Sequence, residues 1–191
     1  MAAYPCSMAN LITLARMALV VPFAVAFLWD ASWNMNAALI IFVIAAASDF
    51  LDGRVARARG EVSALGAALD PLADKLLIAA ALILLLRNGV IAGFGVYAVL
   101  IIILREILVT GLREALGAQG GSLPVTPLAK WKTAIQLLAS GLLLAAAPNG
   151  LIGEALRPAA SAALWAAAFL TLWTGADYAI RAASRLQAKE K

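Results

Sequence analysis

Histidine is absent from this 191-residue chain, and cysteine occurs once, as Cys6. The first absence removes imidazole as base, nucleophile or metal ligand, so acid/base or metal chemistry has to come from carboxylates, Lys, Arg, Tyr or water. The second removes any intramolecular disulfide, and with it any argument for an oxidising compartment. Charge is also scarce, at 14% of residues, where soluble globular domains carry about 25%. The formal net charge of +4 is too mild to indicate a nucleic-acid partner and fits contact with anionic membrane lipids.

Apolar residues fill the remainder. They make up 64% of the chain, and mean hydropathy is +0.92, the composition of an all-α integral membrane protein. Each span must cross about 30 Å of hydrocarbon, so the length accommodates about six transmembrane helices in a single membrane-embedded domain over residues 1–191. Helices are required because a lone lipid-facing strand leaves its backbone unsatisfied. The first run starts after Asn10, a good N-cap residue, and reaches about Trp29; its length and Arg16 argue against a cleaved signal peptide. The others run from about Asn36 into a charged stretch, then over about 64–86, 91–116, 127–147 and 158–183. Arg54, Arg57, Arg59, Arg113, Lys130, Lys132 and the C-terminal Arg181, Arg185, Lys189 and Lys191 fall on one side, against Arg87 and Arg157 on the other. That asymmetry places both termini and the charged stretch in the cytoplasm, with the protein multi-pass. The five tryptophans read as interfacial anchors.

The charged stretch is "SDFLDGRVARARGEVSALGAALDPLADK", residues 48–75. Asp49 and Asp52 are three apart, and Asp70 and Asp74 four apart, so each pair shares one face of its helix. At the cytoplasmic membrane edge four carboxylates repel one another and are costly to desolvate unless neutralised. Pairing with Arg54, Arg57, Arg59 and Lys75 is one solution. A hard divalent cation, Mg2+ or Mn2+, is the other, and carboxylate oxygens favour it over zinc. A cation transporter using the aspartates as an ion site would instead place them near the midplane, between repeated halves with broken helices. No internal repeat is visible.

Taken together the stretch reads D-x-x-D-G-x-x-A-R-x8-G-x3-D-x3-D, with Asp49, Asp52, Gly53, Ala56, Arg57, Gly66, Asp70 and Asp74 at the fixed positions. This resembles the signature of the CDP-alcohol phosphatidyltransferase family without a departure. The resemblance implies a six-helix membrane enzyme, a homodimer, that displaces CMP from a CDP-linked lipid by the hydroxyl of a second alcohol. It implies Asp49, Asp52 and Asp70 as metal ligands, Asp74 as a further ligand or the catalytic base, and Gly53, Ala56 and Arg57, with Asp49 and Gly66, about the cytidine and diphosphate.

An anionic acceptor would need further cations near the site. "LREILVTGLREALG" carries Arg105 and Arg113, and "PLAKWKTAIQ" carries Lys130 and Lys132. Arg105, well inside a span, needs a partner, and Glu106 or an aspartate of the cluster could serve. "NLITLAR", "LDPLADK", "REILVTGLRE" and "KWKT" are similar to bacterial members of the family that use CDP-diacylglycerol and glycerol 3-phosphate, with Ala9 where a proline is usual. That likeness implies Arg105, Thr110, Arg113, Lys130, Lys132 and Thr133 as the acceptor site and Asn10, Thr13 and Arg16 near the CDP-lipid. It implies the inner (cytoplasmic) membrane of a bacterium, with the active site facing the cytoplasm. Members acting as phosphatidylinositol phosphate or cardiolipin synthases are the nearest alternatives.

Overall fold

The computed structural model describes residues 8–29, 33–59, 64–118 and 127–189. These form six α-helices, and the described residues contain no strand: α1 (Met8–Ala26), α2 (Asn34–Arg59), α3 (Ala64–Arg87), α4 (Gly95–Ala118), α5 (Pro127–Ala145) and α6 (Arg157–Lys189), the last entered through a short 3-10 turn at Glu154–Leu156.

The helix ends differ from the apolar runs for identifiable reasons. Helix α1 starts at Met8, so Asn10 lies inside its first turn instead of capping it. Its Pro22 is accommodated within the helix. Helix α2 starts at Asn34, whose side-chain amide donates to the Trp29 carbonyl at 2.8 Å, fixing the chain's entry two residues ahead of Asn36. Helix α3 ends in a Schellman motif: Gly89 N–H donates to Leu86 O and Val90 N–H to Leu85 O, both at 3.0 Å. Gly89 takes φ 68°, which only glycine adopts without strain. Gly93, at φ 55°, continues the turn, so α4 begins at Gly95 and leaves Ile91 outside it. Helices α2 and α6 both run on past their apolar windows into charged sequence, because Ala, Arg, Leu, Gln and Lys are good helix formers whatever their hydropathy.

Helix α6 packs along α4 and α5, α1 packs on α2 and α3, and α5 also meets α2 and α3. Small residues allow close approach: Ala139, Ala146, Ala147, Ala160, Ala167 and Ala168 are all buried. Larger side chains, including Phe23, Phe42, Leu82, Ile102 and Leu164, fill the remaining core. Phe23 and Phe27 meet edge to face, with centroids 5.3 Å apart.

Away from the termini that carry the motif, polar side chains tie chain turns together. Arg157 Nη2 donates to the carbonyls of Gly89 (2.6 Å) and Val90 (2.8 Å), and Arg87 Nη1 to that of Phe27 (3.2 Å). The two basic residues counted against the charge asymmetry are therefore occupied in capping free carbonyls. The outer surface, by contrast, is strongly apolar: Val21, Ile40, Leu104, Ile107, Phe169 and Ile180 are exposed, as are all five tryptophans. Among the described residues, Gly95–Gly117 and Glu154–Arg185 are long and apolar enough to cross a membrane, while Leu14–Ala26, Asn34–Ser48 and Trp131–Ala145 are shorter apolar helices.

Candidate active site

Helices α3, α4, α5 and α6 enclose a cavity of about 620 Å³. Apolar residues such as Ile78, Ile102 and Val109 line part of it, and Lys75, Arg105, Arg113, Lys132 and Arg181 bring five cations to its wall. Glu106, Glu114 and Asp177 supply three carboxylates. The wall therefore carries a net excess of positive charge, suited to an anionic ligand.

The cations are held by a connected set of bonds. Glu106 of α4 lies among three donors: Arg105 Nη1 at 3.1 Å, Lys132 Nζ from α5, and Gln136 Nε2 at 3.5 Å. Arg105, Glu106 and Lys132 each expose 15% or less of the side chain. Removing one member of so enclosed a set would leave a buried charge uncompensated, at a cost of about 3–5 kcal/mol. Arg105 Nη2 also donates to Thr174 Oγ1 on α6 (3.0 Å), and Gln136 Nε2 to Thr171 Oγ1 (2.8 Å), so α4, α5 and α6 are bonded together beneath the cavity. The Arg105 stem crosses α6 at Gly175, where a Cβ would stand 2.6 Å from Arg105 Cγ.

Toward the ends of α4 and α6 the bonds are looser. The Arg113 guanidinium lies 5.8 Å from the centre of the Tyr178 ring, within cation–π range. Arg181 Nε donates to Asp177 Oδ1 at 2.9 Å in an exposed pair. Lys75 of α3 donates to Thr110 Oγ1, which in turn donates to the backbone carbonyl of Glu106 at 2.7 Å.

Of the residues expected at the acceptor, Arg105, Thr110, Arg113, Lys132 and Thr133 all line this one cavity. The Lys130 side chain lies outside the described residues, as do those of Asn10, Thr13, Asp49, Asp52, Gly53, Ala56, Arg57, Gly66, Asp70 and Asp74. Their helices are described: Asp49 and Asp52 belong to α2, Asp70 and Asp74 to α3, and the two helices pack on each other. The expected aspartate pairs thus occupy neighbouring helices, and α3 also walls the cavity. Arg16 on α1 is 2% exposed. Among the described residues, no group of three carboxylates, His or Cys could hold a metal.

Sequence reasoning missed Gln136, Thr174 and Tyr178 as lining residues, and treated Glu106, Lys75 and Arg181 only as pairing or topology charges. A signal was present. Thr171, Thr174, Tyr178 and Arg181 recur at three- and four-residue steps along α6, a polar stripe on one face of an apolar helix.

Among the described residues, the aspartate-bearing helices α2 and α3 pack together and α3 also walls the basic cavity. Comparison with known proteins gives the family. The family model for CDP-alcohol phosphatidyltransferase matches residues 6–173. The CDP-diacylglycerol–glycerol-3-phosphate 3-phosphatidyltransferase of Rickettsia bellii is 36% identical over 175 residues, covering 88% of this chain and 91% of that protein. The Bacillus subtilis protein of the same name is 39% identical over 182 residues, with the same coverage. In structure, the phosphatidylinositol phosphate synthase of Mycobacterium tuberculosis, solved in complex with manganese and citrate, superposes with a TM-score of 0.59 at 21% identity, over 94% of this chain and 82% of that one. The chain belongs to the CDP-alcohol phosphatidyltransferase family and has its all-helical fold.

Proposed function

We propose that the protein transfers the phosphatidyl group of CDP-diacylglycerol to glycerol 3-phosphate, forming phosphatidylglycerophosphate and CMP. The observation that carries this reading is the convergence of Arg105, Arg113 and Lys132 on one cavity whose wall includes α3, the helix of Asp70 and Asp74. A phosphate-bearing acceptor needs those cations, whereas serine or another uncharged-headgroup alcohol does not. The names carried by the Rickettsia bellii and Bacillus subtilis relatives support the same acceptor.

In this reading the whole chain is one domain of six membrane-spanning helices, its apolar outer residues facing lipid and both termini in the cytoplasm. The protein resides in a bacterial inner membrane as a homodimer. Asn10, Thr13, Arg16, Gly53, Ala56, Arg57 and Gly66 belong to the CDP-lipid side. Asp49, Asp52, Asp70 and Asp74 suit a divalent cation, Mg2+ or Mn2+, because an all-carboxylate donor set without His or Cys favours a hard ion. A divalent ion held by these carboxylates would supply charge neutralisation for the phosphoryl oxygens and for the departing CMP.

The chain's own groups position the acceptor. Arg105, Arg113, Lys132 and, in this reading, Lys130 hold the phosphate of glycerol 3-phosphate, with Thr110 and Thr133 beside it. The acceptor's free hydroxyl oxygen forms a bond to the phosphatidyl phosphorus, and the bond from that phosphorus to the CMP oxygen breaks. The hydroxyl proton passes to a carboxylate, Asp74 in this assignment, and CMP departs with the bridging oxygen.

The test is direct: purified protein with CDP-diacylglycerol, Mg2+ and labelled glycerol 3-phosphate, inositol phosphate or phosphatidylglycerol, scored for CMP and lipid product. Transfer to glycerol 3-phosphate is expected. Preference for inositol phosphate or phosphatidylglycerol would overturn the acceptor assignment.

A further inference from the structure

The carboxylate of Glu106 is used unevenly. Arg105 Nη1, Lys132 Nζ and Gln136 Nε2 all approach the same oxygen, Oε1. The second oxygen, Oε2, takes no hydrogen bond from the described residues, and the Glu106 side chain keeps 15% of its surface exposed. Glu106 lines the cavity. An ionised carboxylate only accepts hydrogen bonds, and it repels phosphate, so the chemistry that fits this oxygen is a hydroxyl.

We propose that Glu106 receives the acceptor's non-reacting hydroxyl on Oε2, and that through this contact the cavity selects a polyol phosphate over a plain hydroxyalkyl phosphate. The inference rests on the acceptor reading above. In glycerol 3-phosphate one hydroxyl reacts and one is left over, and the leftover one has no role in the transfer itself. Arg105 and Lys132 neutralise Glu106 and fix its plane, with Thr174 holding Arg105 and Thr171 holding Gln136 from below. The phosphate then lies on the cationic side of the wall, with Arg105, Lys132 and Arg113, while the middle hydroxyl turns toward Oε2.

The experiment compares glycerol 3-phosphate with 3-hydroxypropyl phosphate, which keeps the reacting hydroxyl and the phosphate and lacks the middle hydroxyl. Wild-type kcat/KM should be roughly ten- to a hundredfold lower for the analogue, the range for one hydrogen bond to a charged group. In Glu106→Gln the two substrates should come within about threefold of each other, chiefly through a loss on glycerol 3-phosphate. A carboxylate that merely supported the cavity would depress both substrates alike and leave the ratio unchanged, which would overturn the proposal. So would a wild type indifferent to the missing hydroxyl. Transfer to neither compound would overturn the acceptor reading itself and this proposal with it. If Glu106→Gln does not fold, Glu106→Asp replaces it: the charge stays, the oxygen withdraws by one methylene, and the ratio must still fall.

Discussion

Gly175→Ala isolates the placement of Arg105 without touching any charge. Helix α6 passes the Arg105 stem so closely that an alanine Cβ would stand 2.6 Å from Cγ, 2.9 Å from Nε and 3.3 Å from Cδ. Carbon atoms in contact rest about 3.5–4.0 Å apart, so the stem must move by about 1 Å. The guanidinium is anchored at both ends of its fork, by Glu106 at 3.1 Å and Thr174 at 3.0 Å, and a shift of that size breaks at least one of these bonds. Losing a charge-assisted bond costs about 1.5–3 kcal/mol. Acting against it, alanine is favoured over glycine in a helix by about 1 kcal/mol, which leaves a net destabilisation of about 0.5–2 kcal/mol. The expected result is a KM for glycerol 3-phosphate raised roughly tenfold, with the KM for CDP-diacylglycerol nearly unchanged and the thermal unfolding midpoint lowered by about a few degrees. Steady-state kinetics with each substrate varied in turn measures it. An unaltered acceptor KM would mean that the Arg105 geometry does not serve the acceptor.

Asp49→Asn, Asp52→Asn and Asp70→Asn should each lower turnover by orders of magnitude in folded protein, while Asp74→Asn should keep metal and CDP-diacylglycerol binding and lose transfer; near-normal rates with unchanged metal dependence would refute the assignment. Arg113→Gln should raise the KM for glycerol 3-phosphate about tenfold and leave that for CDP-diacylglycerol unaffected, whereas equal damage to both substrates would move Arg113 out of the acceptor site. Arg157→Gln removes the side-chain bonds to the Gly89 and Val90 carbonyls; it should destabilise the protein by about 1–3 kcal/mol, seen as a lower unfolding midpoint in detergent with kcat retained.

The aspartate motif was readable from sequence because fixed spacing on a helix is itself a geometric statement: three- and four-residue steps share a face whatever the tertiary structure does. The same logic brought Arg105 and Arg113 together. The α6 wall was harder, since nothing in the local sequence says which helix crosses Arg105, and hydropathy averages Thr171, Thr174 and Tyr178 into an apolar run. Helix ends were also misjudged where hydropathy and helix propensity diverge. Asn10 has a capping side chain but lies inside α1, and Ile91 is apolar but sits in a glycine turn. Glu106 was recognised as a partner for Arg105, yet its bond from Lys132 on α5 is a tertiary contact that no spacing rule contains.

The arrangement gives α3 a double role. Asp70 and Asp74 belong to the aspartate signature, and Lys75, the next residue, lines the basic cavity and donates to Thr110 of α4. One residue along an α-helix is a turn of about 100°, so positions 74 and 75 lie on different faces of α3. In the proposed assignment this lets a single helix serve both the aspartate signature, whose other pair is on α2, and the cationic cavity walled by α3, α4, α5 and α6. Opposite charges kept on separate faces avoid neutralising each other, and each remains available for a ligand of its own kind. A transfer reaction between a metal-bound diphosphate and a phosphate-bearing alcohol requires that separation: the two anionic substrates repel, and each must be compensated where it sits before a hydroxyl of one can approach the phosphorus of the other. In the proposed mechanism the reacting atoms meet along α3, where Lys75 is tied through Thr110 to the backbone of Glu106.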